Sequence, residues 1–195
     1  MKYDVKKITG VAVLLAIEIV LQTIGNYISL GPININLALI PIALAAILYG
    51  PFAGALLGLM NGVIVLFSPS TQALFMVYAP VGTVLACLLK CSIAGFVSGL
   101  VYKLISKKNE LVAAIVASLL VPVVNTGLFA LASMTFFMDA VKAVMSSLGM
   151  EAMNFYRFLF LVFIGWNFIF EFAITAILSP TIARIIKICL TNNVI

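Results

Sequence analysis

Six long apolar runs occupy most of this chain and leave only short polar stretches between them. Hydrophobic residues make up 65% of the 195 positions and charged residues only 9%, whereas a soluble domain carries about 25% charged residues. The chain is therefore expected to fold in lipid. Because a membrane-spanning helix takes about 20 residues, a chain of this length accommodates five or six spans and leaves no room for a soluble catalytic domain.

We predict an all-α polytopic protein with six transmembrane helices in one integral membrane domain that covers residues 1–195. The spans are placed at about 8–25, 34–49, 51–67, 79–104, 111–137 and 157–186. The second is short, contains Pro41 and meets the third at Gly50-Pro51, which indicates a tight re-entry with almost no loop. The first has the positive flank and apolar core of a signal peptide, but Glu18 and Gln22 interrupt it and no Ala-x-Ala cleavage site follows. We expect it to be retained as a helix.

The positions of the basic residues predict the orientation, because loops rich in Lys and Arg stay in the cytoplasm. With six spans and both termini cytoplasmic, three cytoplasmic segments hold eight of the 11 basic residues: Lys2, Lys6, Lys7, Lys103, Lys107, Lys108, Arg184 and Lys187. The outer side holds only Lys142 and Arg157, and Lys90 lies within a span. Five spans would place the C-terminal basic residues on the wrong side.

A long outer segment separates the fifth and sixth spans. Asp139 can cap a short helix that Gly149 ends. One face of this helix is apolar, formed by Ala140, Val141, Val144, Met145 and Leu148. It is either an interfacial helix over an outer pocket or a connector that lies on the membrane without a ligand role.

Missing residue types exclude several chemistries. His is absent, so the common proton shuttle of intramembrane hydrolases and the commonest transition-metal ligand are missing. Cys87, Cys91 and Cys189 form no CxxC pair, and we interpret them as small packing residues. No GxxxxGK(S/T) phosphate loop occurs, so nucleotide-driven work belongs to another chain. We expect no enzyme activity, no cofactor, no metal and no nucleic-acid partner.

Small residues recur at helical spacing in the third and fourth spans. Gly50, Gly54, Gly58 and Gly62 follow one another every four residues, which draws a nearly straight stripe along a helix. A neighbouring backbone can approach such a stripe closely. We interpret the stripe, with Gly95 and Gly99 of the fourth span, as an internal packing seam.

A few polar side chains fall within the predicted spans, where they need an interior partner or a purpose. At 1.5 Å per residue, four of them come out near the middle of the membrane: Asn61, Lys90, Asn125 and Glu171. Asn167 lies one turn before Glu171 with Trp166 alongside. Lys90 and Glu171 either line a pocket or neutralise each other as a structural ion pair. Glu18 could extend to the outer membrane surface, and no role is assigned to it.

Several short motifs occur in a characteristic order. They are a basic N-terminus, Ala12-x-x-x-Ala16, Asn36-x-x-x-x-Pro41, Gly50-Pro51-x-x-Gly54-x-x-x-Gly58, Lys90-x-x-x-Ala94-Gly95 and Val124-Asn125-Thr126. With six spans in a chain of this length, they resemble the substrate-binding (S) components of energy-coupling factor (ECF) vitamin transporters. The second and third helices and the later motifs are most similar to the pantothenate and folate members.

The resemblance implies a multi-pass subunit of a bacterial plasma membrane that binds a vitamin on the outside. It would deliver this small molecule through an ABC-type module of one transmembrane coupling subunit and two ATPases, surrounded by membrane lipid. Ala12 and Ala16 correspond to the face that docks onto the coupling subunit. The candidate substrate-binding residues are Asn36, Asn61, Tyr78, Lys90, Asn125, Trp166, Asn167 and Glu171.

Pantothenate is the favoured substrate, because its single carboxylate suits one buried cation, Lys90, surrounded by amides. Riboflavin or folate would instead need aromatic stacking, for which Tyr27, Phe75, Tyr78, Phe155 and Tyr156 are available. Lys90 stands where pantothenate-like members often have Arg, and Lys lacks the bidentate fork for a carboxylate. From another class, a small oligomeric channel or membrane scaffold stays an alternative.

Overall fold

The protein is all-α in a computed structural model that describes residues 5–28 and 34–191, with side chains described up to residue 184. Its helices are α1 (Val5–Gly25), α2 (Leu39–Tyr49), α3 (Pro51–Leu66), α4 (Pro69–Thr71), α5 (Pro80–Ile105), α6 (Glu110–Thr135), α7 (Met138–Ser147), α8 (Phe155–Phe158) and α9 (Gly165–Thr191). Two π-helical turns, Gln72–Met76 and Leu159–Phe163, follow α4 and α8. The predicted fold class is confirmed.

Four helical stretches are long and apolar enough to cross a membrane: Val5–Gly25, Pro80–Ile105, Glu110–Thr135 and Phe155–Arg184. A fifth candidate joins Pro51–Leu66 to Pro69–Met76 through a bend of 65°. The predicted second span is present only as α2, whose 11 residues are about half of the length that a span needs. The chain is thus polytopic, while six spans and the sidedness of the termini stay predictions.

Local sequence explains where several helices begin. α3 and α5 have Pro in their first turn, where the missing N–H costs no helical hydrogen bond. Asn109 precedes α6, and its side chain accepts a hydrogen bond from the Val112 N–H at 3.1 Å. Asn154 caps α8 in the same way through the Tyr156 N–H at 3.0 Å. These caps satisfy backbone donors that have no partner within the helix.

The connection between α2 and α3 is a single residue, Gly50, with φ at 95°. Side chains rarely adopt this conformation, so glycine allows the chain to reverse without a loop. The predicted tight re-entry is therefore confirmed. Gly50 does not belong to the packing stripe, because a Cβ built on it would meet nothing within 4 Å.

The rest of the glycine stripe packs α3 against α5 at backbone distance. A Cβ on Gly54 would lie 2.7 Å from the carbonyl oxygen of Gly95, and Gly58 and Gly62 face the backbone of Cys91 and Cys87 in the same way. No side chain fits between the two helices at these positions. The predicted packing seam is confirmed for Gly54, Gly58 and Gly62.

The first helix has its polar side inward. Its buried residues are Glu18, Gln22 and Gly25, whereas most of its aliphatic side chains are exposed. This arrangement suits a helix at the edge of a bundle in lipid, where apolar side chains need no cover. Glu18 is 0% exposed, so the expectation that it extends to the membrane surface is wrong.

The predicted helix between the fifth and sixth spans is present as α7. Ala140, Val141 and Met145 are buried, while Leu148 is exposed. The expected cap is wrong: the helix begins at Met138, so Asp139 already lies in its first turn. There the Asp139 carboxylate instead interacts favourably with the positive end of the helix dipole. Gly149, with φ at 67°, follows the end of α7.

Candidate functional site

One end of the helical bundle has an open cavity lined by apolar and polar side chains, whose empty space is about 820 Å³ when the open solvent at its mouth is counted. It lies between the C-terminal ends of α1, α3 and α6, the N-terminal halves of α5 and α9, and the segments that precede α2 and α7. The basic residues Lys103, Lys107 and Arg184 lie at the opposite ends of α5 and α9. In the orientation that the basic residues predict, the cavity is on the outer side.

Cys91, on α5, connects three amide side chains behind the cavity. Its Sγ accepts hydrogen bonds from Asn61 Nδ2 at 3.2 Å and Asn36 Nδ2 at 3.6 Å. It donates one to Asn125 Oδ1 at 3.2 Å. The thiol is fully buried and uses both its donor and its acceptor capacity. It therefore fixes the amide of Asn125, which lines the cavity, with its NH₂ group free of this contact.

Glu171 ties α9 to the segment that precedes α2. Its Oε1 accepts a hydrogen bond from the Asn36 backbone N–H at 3.0 Å. The Asn36 side chain in turn accepts from the Ala38 N–H at 3.2 Å and from Asn61 Nδ2 at 3.4 Å. Both Glu171 and Asn36 are buried and line the cavity. The Glu171 carboxylate is thus held by a neutral donor, the backbone N–H of Asn36.

Lys90 brings a positive charge to the cavity wall. Its Nζ lies 4.9 Å from the centre of the Phe129 ring, within the range of a cation–π contact. Lys90 and Glu171 both line the cavity. In the described part of the chain, however, the two form no ion pair within 4.0 Å. The ammonium group therefore keeps its hydrogen-bond donors for another partner.

The apolar part of the cavity wall belongs to a cluster of phenylalanines. Phe75 packs on Phe137 with ring centres 4.8 Å apart and on Phe129 at 5.7 Å. Phe163 joins the same cluster, stacked on Phe129 at 6.4 Å. Three of these rings, on Phe75, Phe129 and Phe137, line the cavity. They come from α6, from the π-turn after α4 and from the start of α7, so these short elements shape the cavity.

Asn167 contributes an unused acceptor. Its side chain is buried and lines the cavity, and its Oδ1 has no hydrogen-bond partner. A buried carbonyl without a donor costs free energy, so this oxygen favours an occupant that brings an N–H or O–H group. Gln22, which also lines the cavity, has an unpartnered oxygen of the same kind. The cavity therefore combines one cation, two acceptors without a donor and an aromatic wall.

Comparison with family models identifies the family of the chain. The family model described as ECF transporter, substrate-specific component, matches residues 6–186. The chain belongs to this family. No curated protein and no solved structure matches it at a significant level. The S component is thus a multi-pass membrane subunit of an ECF transporter, with a small-molecule substrate and other subunits of the ECF module as partners. The family assignment from the sequence motifs is confirmed, and the type of vitamin stays open.

The structure of this S component brings five of the eight candidate residues to the cavity: Asn36, Lys90, Asn125, Asn167 and Glu171. Asn61 lies behind them and reaches the cavity only through Asn36 and Cys91. Tyr78 and Trp166 are 49% and 59% exposed and do not line the cavity. A role of any of the eight residues in substrate binding stays a prediction.

Sequence reasoning missed a polar group at the mouth of the cavity. Asn34 Nδ2 donates to the Asn26 carbonyl oxygen at 2.8 Å and to Ser70 Oγ at 3.0 Å. Gln22 also lines the cavity. A signal was available, because Glu18, Gln22 and Asn26 recur every four residues and so share one helix face. It also missed Cys91, for which the sequence offered no sign beyond a small side chain.

Proposed function

We propose that this S component binds one vitamin-like carboxylate, with pantothenate as the favoured substrate, in the cavity between α1, α5, α6 and α9. The observation that supports this most is the unpaired ammonium of Lys90 in an otherwise mostly apolar and amide-lined cavity. Lys90 and Glu171 are the charged residues of the described lining. Since Glu171 already accepts a backbone hydrogen bond, Lys90 is available for an anionic ligand.

The polar and apolar groups of the cavity wall also suit the remaining groups of pantothenate. An apolar cavity with a few convergent polar groups is typical of a small-molecule site. The Asn167 Oδ1 acceptor suits a hydroxyl or amide N–H of the ligand, and the fixed amide of Asn125 can donate to a carbonyl oxygen. Phenylalanine rings suit the methyl groups of the pantoyl half. Each unpaired group of the wall thus finds a counterpart in this ligand.

Riboflavin and folate fit the described residues less well. Of the five aromatic residues expected to stack on such rings, only Phe75 lines the cavity. Tyr27, Tyr78 and Tyr156 are exposed.

Family membership argues against a small channel or membrane scaffold.

We further propose that the loaded subunit docks, in a bacterial plasma membrane, onto a transmembrane coupling subunit that two ATPases drive. Ala12 and Ala16 supply the docking face. Both side chains are exposed, so this face of α1 packs against no other described helix of the chain. Small side chains allow a partner helix to approach closely. Their distance from the cavity separates docking from substrate binding.

The test is binding of pantothenate, riboflavin and folate to the purified chain in detergent, measured by thermal shift and calorimetry. We expect pantothenate to raise Tm and Lys90→Met to weaken its binding by about 30-fold, because a hydrogen bond to a charged group contributes about 1.5–3 kcal/mol. Lys142→Met makes the same change at an exposed position of α7 and should leave binding unchanged.

Two results would contradict the proposal. If Lys90→Met binds pantothenate as well as the unchanged chain does, the assigned charge contact is wrong. If no vitamin stabilises the chain at millimolar concentration, the cavity is not a vitamin site.

A further inference from the structure

A second polar cluster lies on α1, beside the cavity, and no step of the proposed function uses it. Glu18 is fully buried, and its carboxylate lies against the backbone of Asn61 on α3. Neither carboxylate oxygen has a hydrogen-bond partner. Two more buried oxygens without a partner belong to neighbouring residues: Oε1 of Gln22, which is one turn further along α1, and Oδ1 of Asn61, whose backbone contacts Glu18. Four oxygens of three side chains thus lack a donor.

In Gln22 and Asn61 the NH₂ group of the side chain makes hydrogen bonds, whereas the amide oxygen makes none. Gln22 Nε2 donates to Asn26 Oδ1 in the next turn of α1, at 2.9 Å. Asn61 Nδ2 donates to Cys91 Sγ and to Asn36 Oδ1, on the cavity side. Because the NH₂ groups are used there, the amide oxygens of Gln22 and Asn61 are left without a partner. The Asn61 backbone is the donor beside the Glu18 carboxylate, and it carries no charge to balance that of an anion.

No charged side chain of the surrounding helices balances Glu18. α1 packs against α2 and α3, and neither of these two helices contains a charged residue. On α1 itself, Lys6 and Lys7 lie towards the opposite end, about 16–18 Å away along the axis at 1.5 Å per residue. A buried carboxylate is expected to have a charged partner or a bound ion. In the described part of α1, α2 and α3, the Asn61 backbone is the donor beside Glu18, and it is neutral.

We propose that Glu18, Gln22 and Asn61 bind one monovalent cation, a sodium ion. Hard cations are held by carboxylate and carbonyl oxygens, which is the set that these residues present. One positive charge neutralises the single carboxylate, whereas a divalent ion would leave a net charge buried. A proton on Glu18 would satisfy only one further acceptor and leave two oxygens without a donor. Gln22 also lines the cavity, which gives the ion a route from the cavity.

The experiment measures Tm of the full chain in detergent at fixed pH and ionic strength, with NaCl replacing choline chloride stepwise and no vitamin present. A ligand that binds only the folded state stabilises it in proportion to the logarithm of its concentration above Kd. We expect a saturable rise of several degrees and, by equilibrium dialysis with radioactive sodium, about one ion per chain. Glu18→Gln should lose both, because it removes the charge at nearly the same size.

Glu110→Gln is the matched control, since it makes the same change at an exposed position at the start of α6. It should keep the sodium response. The unchanged chain decides the matter even if Glu18→Gln fails to fold: a Tm that does not differ between NaCl and choline chloride overturns the proposal. A chain that ignores sodium but loses stability with rising pH, except in Glu18→Gln, would show a proton in place of the ion. These measurements use no vitamin, so they stand or fail independently of the proposed substrate.

Discussion

Helices α1 and α3 both contact the same bundle, but in opposite ways. α3 packs its backbone on that of α5 through Gly54, Gly58 and Gly62. α1 instead buries the polar side chains of Glu18 and Gln22 and exposes most of its aliphatic surface. In lipid, close backbone contact holds helices together, because exposed apolar side chains are not driven inward. α3 is therefore part of a closely packed frame, whereas α1 is a peripheral helix with a free face.

The largest expected effect is in the seam of α3. A side chain at Gly58 would run into the backbone of Cys91, so Gly58→Leu should force α3 away from α5. Overpacking of this kind costs about 1–3 kcal/mol where side chains can adjust, and more where the contact is backbone. We expect loss of folded protein or a fall in Tm of more than about 10 °C, measured by thermal unfolding in detergent.

Gly127→Leu is the control for that change, because Gly127 lies on an open side of α6 where a Cβ meets nothing within 4 Å. Similar Tm values for the two variants would show that the seam does not hold the frame together.

A larger substitution on α1 should leave the fold intact. Ala12→Trp combined with Ala16→Trp adds two large side chains to an exposed face. We expect Tm and vitamin binding to stay within error of the unchanged chain, while uptake in cells and copurification with a coupling subunit are lost. A double variant that loses expression and vitamin binding together would show that this face packs inside the chain, and the docking proposal would be abandoned.

The smallest effect is expected where a glycine has no packing role. Gly127→Ala should stabilise α6 by about 0.5–1 kcal/mol, because alanine favours the helix over glycine. This corresponds to a Tm increase of about 1–4 °C for a chain of this size. The same change at Gly54 should lower Tm, since the added Cβ meets the Gly95 carbonyl. An increase in both variants would mean that the two helices do not approach as closely as the structure has them.

The long helices were predictable because lipid demands continuous apolar runs of fixed length. α5 was expected over 79–104 and is Pro80–Ile105, and α6 was expected over 111–137 and is Glu110–Thr135. α2 was overestimated, since the predicted span also took in residues 34–38, where Asn34 and Asn36 alternate with apolar residues. There, however, Asn36 makes tertiary hydrogen bonds to Glu171 and Cys91. Hydropathy does not distinguish such a segment from a span.

The cavity residues were predictable for a similar reason. A polar side chain at mid-membrane depth faces the interior, and Lys90, Asn125 and Glu171 do line the cavity. Aromatic residues carry no such signal, because lipid accepts them, and Tyr78 and Trp166 do not line it. A role of any of these residues in substrate binding stays a prediction. The contacts of Cys91 depend on the positions of three other helices and segments, which one sequence does not define.

The buried carboxylate of Glu18 also affects the order of assembly during synthesis. α1 is synthesised before α2 and α3, and a charge near the middle of a span costs about 2.5–3.5 kcal/mol on insertion scales. The residues that surround Glu18, in α2 and α3, are synthesised later. Until then α1 has no protein surface on which to bury its polar side. The first helix is therefore expected to stay beside the insertion machinery, and to enter the bilayer together with the α2–α3 pair rather than ahead of it.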